Sequence, residues 1–169
     1  ESPEPVSLAD LRSALARAVA EGERGLERER RHKALLEALA EVGYAPLDVL
    51  ETGVVRAGRL YVQRLDERDY AVEVTMDKNL DMLQTALVRV VGDSASTQQQ
   101  RLRDSERETE WCGDHAGLRA GLEARGCTTT CPMAIPPGER PVRVVPLAHR
   151  QSDARKVAQP QARHTGDAT

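Results

Sequence analysis

Tyr70-Ala71-Val72-Glu73-Val74-Thr75-Met76 is the stretch on which the fold turns. Tyr70, Val72, Val74 and Met76 are large and apolar, whereas Ala71, Glu73 and Thr75 are small or polar. A period of two is the signature of a strand, here with its apolar side on a core and the other side toward water.

The neighbouring segments 47–55, 59–65 and 83–91 are likewise rich in Val, Leu, Tyr and Thr and are bounded by turn-forming residues. They are expected to be three more strands. The links at 56–58 and 66–69 are short, which favours an antiparallel meander over parallel crossovers. Downstream, 98–125 has helical spacing with Leu102, Trp111, Leu118 and Leu122 toward the sheet, and Gly126 ends it. Gly113 followed by Asp114 is a candidate break, because Asp caps helix starts. Segments 127–135 and 142–145 flank the turn at Pro136, Pro137 and Gly138 and complete the sheet as a closing strand pair.

Upstream of the sheet, Ser7 is a helix-start residue followed by Leu8, Leu11, Leu15, Ala18 and Val19 at three- and four-residue spacing, with Arg12, Arg17 and Glu21 opposite. Between Glu21 and Lys33 the chain is almost entirely Glu and Arg. Apolar spacing returns at Leu35, Leu36, Leu39 and Val42, and Gly43 terminates the run. Gly22 and Gly25 each weaken a helix by about 1 kcal/mol relative to Ala. Two helical segments in register are favoured over one long helix reaching into a coiled coil.

The expected organisation is therefore α+β: an amphipathic and charged helical segment at 1–43, an α+β domain at 44–146 built of meander, long helix and closing strand pair, and a disordered tail at 147–169. The order of elements resembles that of bacterial secretion-chaperone-like domains; the likeness is one of pattern, and no residue role is taken from it.

The 169 residues suffice for one core. No apolar stretch approaches the roughly 20 residues of a spanning helix, so no membrane partner is expected. The chain opens on Glu1 without the basic start and apolar stretch of a secretory signal, as expected of a processed chain or a piece of a longer one. Only Lys33, Lys78 and Lys156 of 24 basic residues are lysine, the bias of a GC-rich bacterial genome. A net charge of -3 and a set of aromatics limited to Trp111, Tyr44, Tyr61 and Tyr70 argue against nucleic acid, which needs cationic surface and stacking platforms.

Cys112, His115, Cys127 and Cys131 form the string C-x-x-H…C-x-x-x-C, the donor set of a structural zinc site. Zinc is the one cofactor these residues suggest. Against it, a strand through Cys127 and Cys131 would hold them about 13 Å apart, too far for one ion, and too far for a disulfide. Cys112 with His115 also has the form of a thiol nucleophile and its base, although no nearby cation or oxyanion donor pair is evident. Glu106, Glu108 and Glu110 scatter around a helix axis, and Glu73, Asp77 and Lys78 lack the second strand carboxylate of a metal-dependent nuclease. Three cysteines suit a reducing, cytoplasmic setting.

With no catalytic constellation, the expected function is a non-catalytic protein-binding or assembly module of a cytoplasmic bacterial protein. It would self-associate or dock on a protein partner through Leu8, Leu11, Leu15 and Val19. The alternatives are a small zinc-binding or thiol enzyme on Cys112, His115 and Cys127, and a nucleic-acid accessory protein using Arg101, Arg103, Arg107 and the basic tail.

Overall fold

The computed structural model describes residues 7–47, 58–90 and 97–145. Helix α1 spans Leu8–Glu41 and is followed by strands β1 (Tyr44–Pro46), β2 (Arg59–Arg64), β3 (Tyr70–Met76) and β4 (Leu83–Arg89). Helix α2 (Gln98–Ala124) and strand β5 (Arg143–Val144) complete the described chain. The five strands lie in the order β1-β2-β3-β4-β5, with antiparallel pairing through β4 and a parallel β4–β5 pair. The parallel pair follows from the connection: α2 crosses over between β4 and β5 and returns the chain to the same end of the sheet.

The α+β architecture of helix, meander, long helix and closing strand is as the sequence reads, with β2, β3 and β4 within two residues of expectation. Three details differ. The expected closing pair is one short strand, because 127–135 has no strand pairing and only Arg143–Val144 joins the sheet. A three-residue strand at Tyr44–Pro46 stands just before the expected strand at 47–55, of which only Leu47 is among the described residues. The expected tail at 147–169 lies outside them.

Helix α1 is also a single 34-residue helix, where two segments were favoured. The cost of two glycines is met by the other 32 positions and by Glu27, whose carboxylate binds both Arg30 and Arg31 one turn on. Those two guanidinium groups hold Glu27 down at about 2, well below the usual carboxylate range. Ser7 caps the start, its Oγ accepting from the Asp10 amide at 3.1 Å, and Gly43 ends the helix at φ +87°.

Both helices cover one face of the sheet. Ala34, Leu35, Ala38 and Leu39 of α1 and Trp111, Leu118 and Leu122 of α2 meet Tyr44, Val62, Val72 and Val74 in the main core. Val62, Val72 and Leu87 sit side by side across three strands and carry this face. Leu102, expected inward, is 62% exposed. Nine residues separate it from Trp111, which at about 100° per residue puts it on the opposite side of α2. Asp104, seven residues from Trp111, takes the inward place and is 5% exposed.

The opposite face of the sheet is partly covered as well. Tyr61, Ala71, Val88 and Val90 form a second buried cluster with Leu47 and Val145 against it. Ala71 and Glu73, expected toward water, are therefore buried, as befits the central strand of five.

The two helices touch through small residues. A Cβ on Gly121 would lie 3.1 Å from the Ala38 Cβ, and one on Gly117 would lie 2.9 Å from Val42 Cγ1. Replacing Gly121 by Leu is expected to lower unfolding stability by about 1–3 kcal/mol through overpacking. Leu102→Ala on the exposed side of the same helix should stay within about 0.5 kcal/mol; urea titration of both variants checks the contrast.

Candidate functional site

The thiol and imidazole set is spread along α2 and past its end. Because α2 runs unbroken through Gly113 and Asp114, the twelve residues from Cys112 to the last helical residue, Ala124, rise about 18 Å. Cys127 therefore lies far from the pair Cys112 and His115. Among the described residues, no group of three or more His, Cys, Asp or Glu side chains is gathered for a metal ion.

Two members of the set have local roles. Cys127 donates its amide to the Leu122 carbonyl at 3.0 Å and Gly126, at φ +75°, to that of Glu123 at 3.0 Å. This is a Schellman ending, and the Cys127 side chain packs on the core as its usual apolar companion. His115 meets Trp111 edge-on at 5.8 Å, and burial, assisted by Arg119, lowers its pKa. Cys112 and Cys131 are exposed.

Among the described residues two carboxylates are buried, and both are bound by cations of this chain. Asp104 Oδ1 accepts from Tyr70 Oη at 2.7 Å and Gln100 Nε2 at 3.0 Å, with Arg89 Nε 3.5 Å away. Arg89 Nε is buried and makes no hydrogen bond, so its ion pair with Asp104 is one of proximity without alignment. Burial and the Asp104 carboxylate together push the Tyr70 phenol well above its ordinary pKa. Glu73, on the other face, is held by Arg59 at 3.0 Å, by Arg143 and by the Tyr61 hydroxyl at 3.4 Å. Ala86 lies beside Glu73 on β4, and its small side chain lets Arg143 reach over from β5. These groups are occupied with one another. Neither carboxylate faces a cleft as a free acid or base.

Several of the remaining polar candidates are also engaged. Asp77 Oδ1 accepts from the Met82 amide at 2.8 Å, closing the β3–β4 turn, and this lowers its pKa. Glu108 accepts from the Gly138 amide at 2.6 Å. Arg103 pairs with Asp69, and Arg107 with Glu67 and Glu110, which neutralises most of the cationic run on α2. A shallow groove beside these pairs, walled by Tyr44, Arg64, Tyr70 and Arg107, presents charges already matched.

What the protein does leave accessible is the first half of α1. From Leu8 to Val19 every residue is exposed, and Leu8, Leu11, Leu15 and Val19 are 52–72% exposed, as is Leu26 at 70%. Among the described residues the helix is fastened only beyond this point. Arg30 donates to the Arg125 carbonyl at 3.1 Å, capping the end of α2, and Arg31 pairs with Asp81. Arg125 in turn binds Glu37 and Glu41 of α1. About 19 residues, or about 28 Å of helix, thus extend beyond the body. The four interaction residues expected from the sequence lie together on this arm; Leu26 is an addition, masked in the sequence by the charged run around it.

Compared with protein-family models, curated proteins and solved structures, the chain matches none.

Two outcomes test the roles of the engaged groups. Asp104→Ala strands the Arg89 cation in the interior and is expected to cost about 3–5 kcal/mol in chemical denaturation. For His115, the folded pKa lies below the ordinary value of about 6.5. Between those two values the unfolded chain holds more protons, so stability rises with pH through that window and this contribution is constant above it. Urea midpoints measured from about pH 5 to 7.5 should show this slope, and His115→Gln should flatten it.

Proposed function

We propose that this protein is a protein-binding or assembly module that works by presenting the first half of α1, not by catalysis. The observation that carries this reading is an apolar stripe left uncovered on a continuous helix whose other end is built into the core. Single exposed apolar residues are ordinary on a protein surface, but an aligned row of five is the mark of a helix that docks. An odd number of cysteines supports a reducing, cytoplasmic setting, and the arginine-for-lysine bias supports a bacterial source.

The test uses the full chain. Deleting 1–43 would also remove Ala34, Leu35, Ala38 and Leu39 from the core, so it would report on folding instead of association. Light scattering behind size exclusion is expected to give a mass that rises with concentration. Leu11→Glu with Leu15→Glu should reduce it to that of one chain, with helical circular dichroism unchanged. A wild-type chain that remains monomeric at every concentration overturns self-association.

A further inference from the structure

The uncovered stripe has a geometry that selects its occupant, and the inference drawn from it rests on the assembly reading above. Leu8, Leu11, Leu15, Val19, Gly22 and Leu26 follow one another at intervals of three, four, four, three and four residues. This is the spacing of an eleven-residue repeat, which drifts about 20° per repeat around an α-helix and so less per residue than a seven-residue repeat. At about 100° per residue the stripe is centred about 160° around the helix from Ala34, Leu35, Ala38 and Leu39. Whatever covers it arrives from the side of α1 opposite the protein's own sheet.

We infer that the occupant is a second copy of this chain, its α1 lying antiparallel across the first with the two-fold axis near Arg17. The stripe reads nearly the same in both directions from that point: Leu8 comes opposite Leu26, Leu15 opposite Val19, and Leu11 opposite Gly22. Gly22, with nothing within 4 Å of its Cβ position, supplies the space that the Leu11 side chain fills. Charge agrees with this register. Arg12 and Glu23 flank the stripe on the same side, and in an antiparallel pair same-side flanks face each other, so Arg12 meets the partner's Glu23 twice over. Within their own chain the two are eleven residues, about 16 Å, apart and do not meet. Among the described residues neither pairs with another side chain. A parallel pair would instead set Gly22 against Gly22 and give neither charge an opposite at its own height. Such flanking charges set helix orientation more than they set affinity.

Charge exchange and disulfide trapping on the full chain test this. Arg12→Glu and Glu23→Arg should each weaken the dimer by about tenfold in sedimentation equilibrium, and the two together should restore it to within about twofold. For orientation, Cys112 and Cys131 are replaced by Ser and Cys127 by Ala, and Leu8→Cys chains are mixed with Leu26→Cys chains under mild oxidation. The mixed 8-to-26 disulfide is expected to dominate. A dimer that Leu11→Glu with Leu15→Glu dissolves, but that forms 8-to-8 disulfides or is not rescued by the charge exchange, overturns the antiparallel pair and leaves the assembly reading standing. A chain that is monomeric throughout overturns self-pairing and leaves the stripe to a different protein.

Discussion

Ala38 and Gly121 bring α1 and α2 so close that a single added carbon at Gly121 would stand 3.1 Å from the Ala38 Cβ. That approach decides much of the remaining structure. Two helices lying together over one face of a sheet of short strands leave little room between them, and Gly117, Gly121, Ala34 and Ala38 remove bulk where they meet. Once the helices are this close, Arg125 at the end of α2 reaches Glu37 and Glu41, and Arg30 reaches the last carbonyl of α2. The polar clasp therefore depends on the apolar contact beneath it. Exposed ion pairs of this kind contribute little by themselves, but here they mark the point beyond which α1 loses contact with the body.

The interior also contains charge, and its placement is specific. With no Phe, the core is built mainly from Val, Leu and Ala around the four buried aromatic residues Tyr44, Tyr61, Tyr70 and Trp111. Asp104 and Glu73 tie its outlying parts to the central strands. Asp104 joins α2 to Tyr70 and Arg89; Glu73 joins β3 to Arg59 on β2 and Arg143 on β5. Buried ion pairs seldom stabilise more than well-packed apolar replacements would. Losing one partner is a different matter, since it leaves a desolvated charge behind. The consequence is discrimination: a slip of β3 by one residue would move Glu73 to the helix-covered face, away from Arg59 and Arg143.

Much of this was legible in the sequence. The alternation at Tyr70–Met76 identified the central strand, and Ser7, Gly43 and Gly126 marked helix ends because caps act locally. What escaped was whatever depends on contacts distant in sequence. Glu73 has the look of a solvated strand residue until Arg143, 70 positions later, is folded over it. Leu102 belongs to an apolar series only if nine residues are counted as a return to the same helix face. Gly22 and Gly25 looked like breaks because propensity is judged locally, whereas a helix continuous on both sides and anchored at one end tolerates them. The set of Cys112, His115 and Cys127 was legible as chemistry but not as geometry, since only an interruption of α2 would have let its members meet. The stripe from Leu8 to Val19 was legible as amphipathic; that it faces away from the body was not.

That orientation follows from the phase of the helix. In an ideal α-helix the stripe through Leu15 and Val19 and the stripe through Leu35 and Leu39 are on nearly opposite sides. They therefore cannot serve one common surface. Had the two been in phase, a slightly larger sheet could have covered the whole of α1, and the first half would read as unfinished core. Out of phase, no extension of the same face reaches it. The change takes place across the charged stretch between Leu26 and Ala34, where Glu27, Arg30 and Arg31 fasten the helix by polar contacts that do not require an apolar face. A continuous helix through that stretch also keeps the two stripes at a constant angle, so the exposed stripe holds a defined direction relative to the sheet. A hinge at Gly22 or Gly25 would lose that direction.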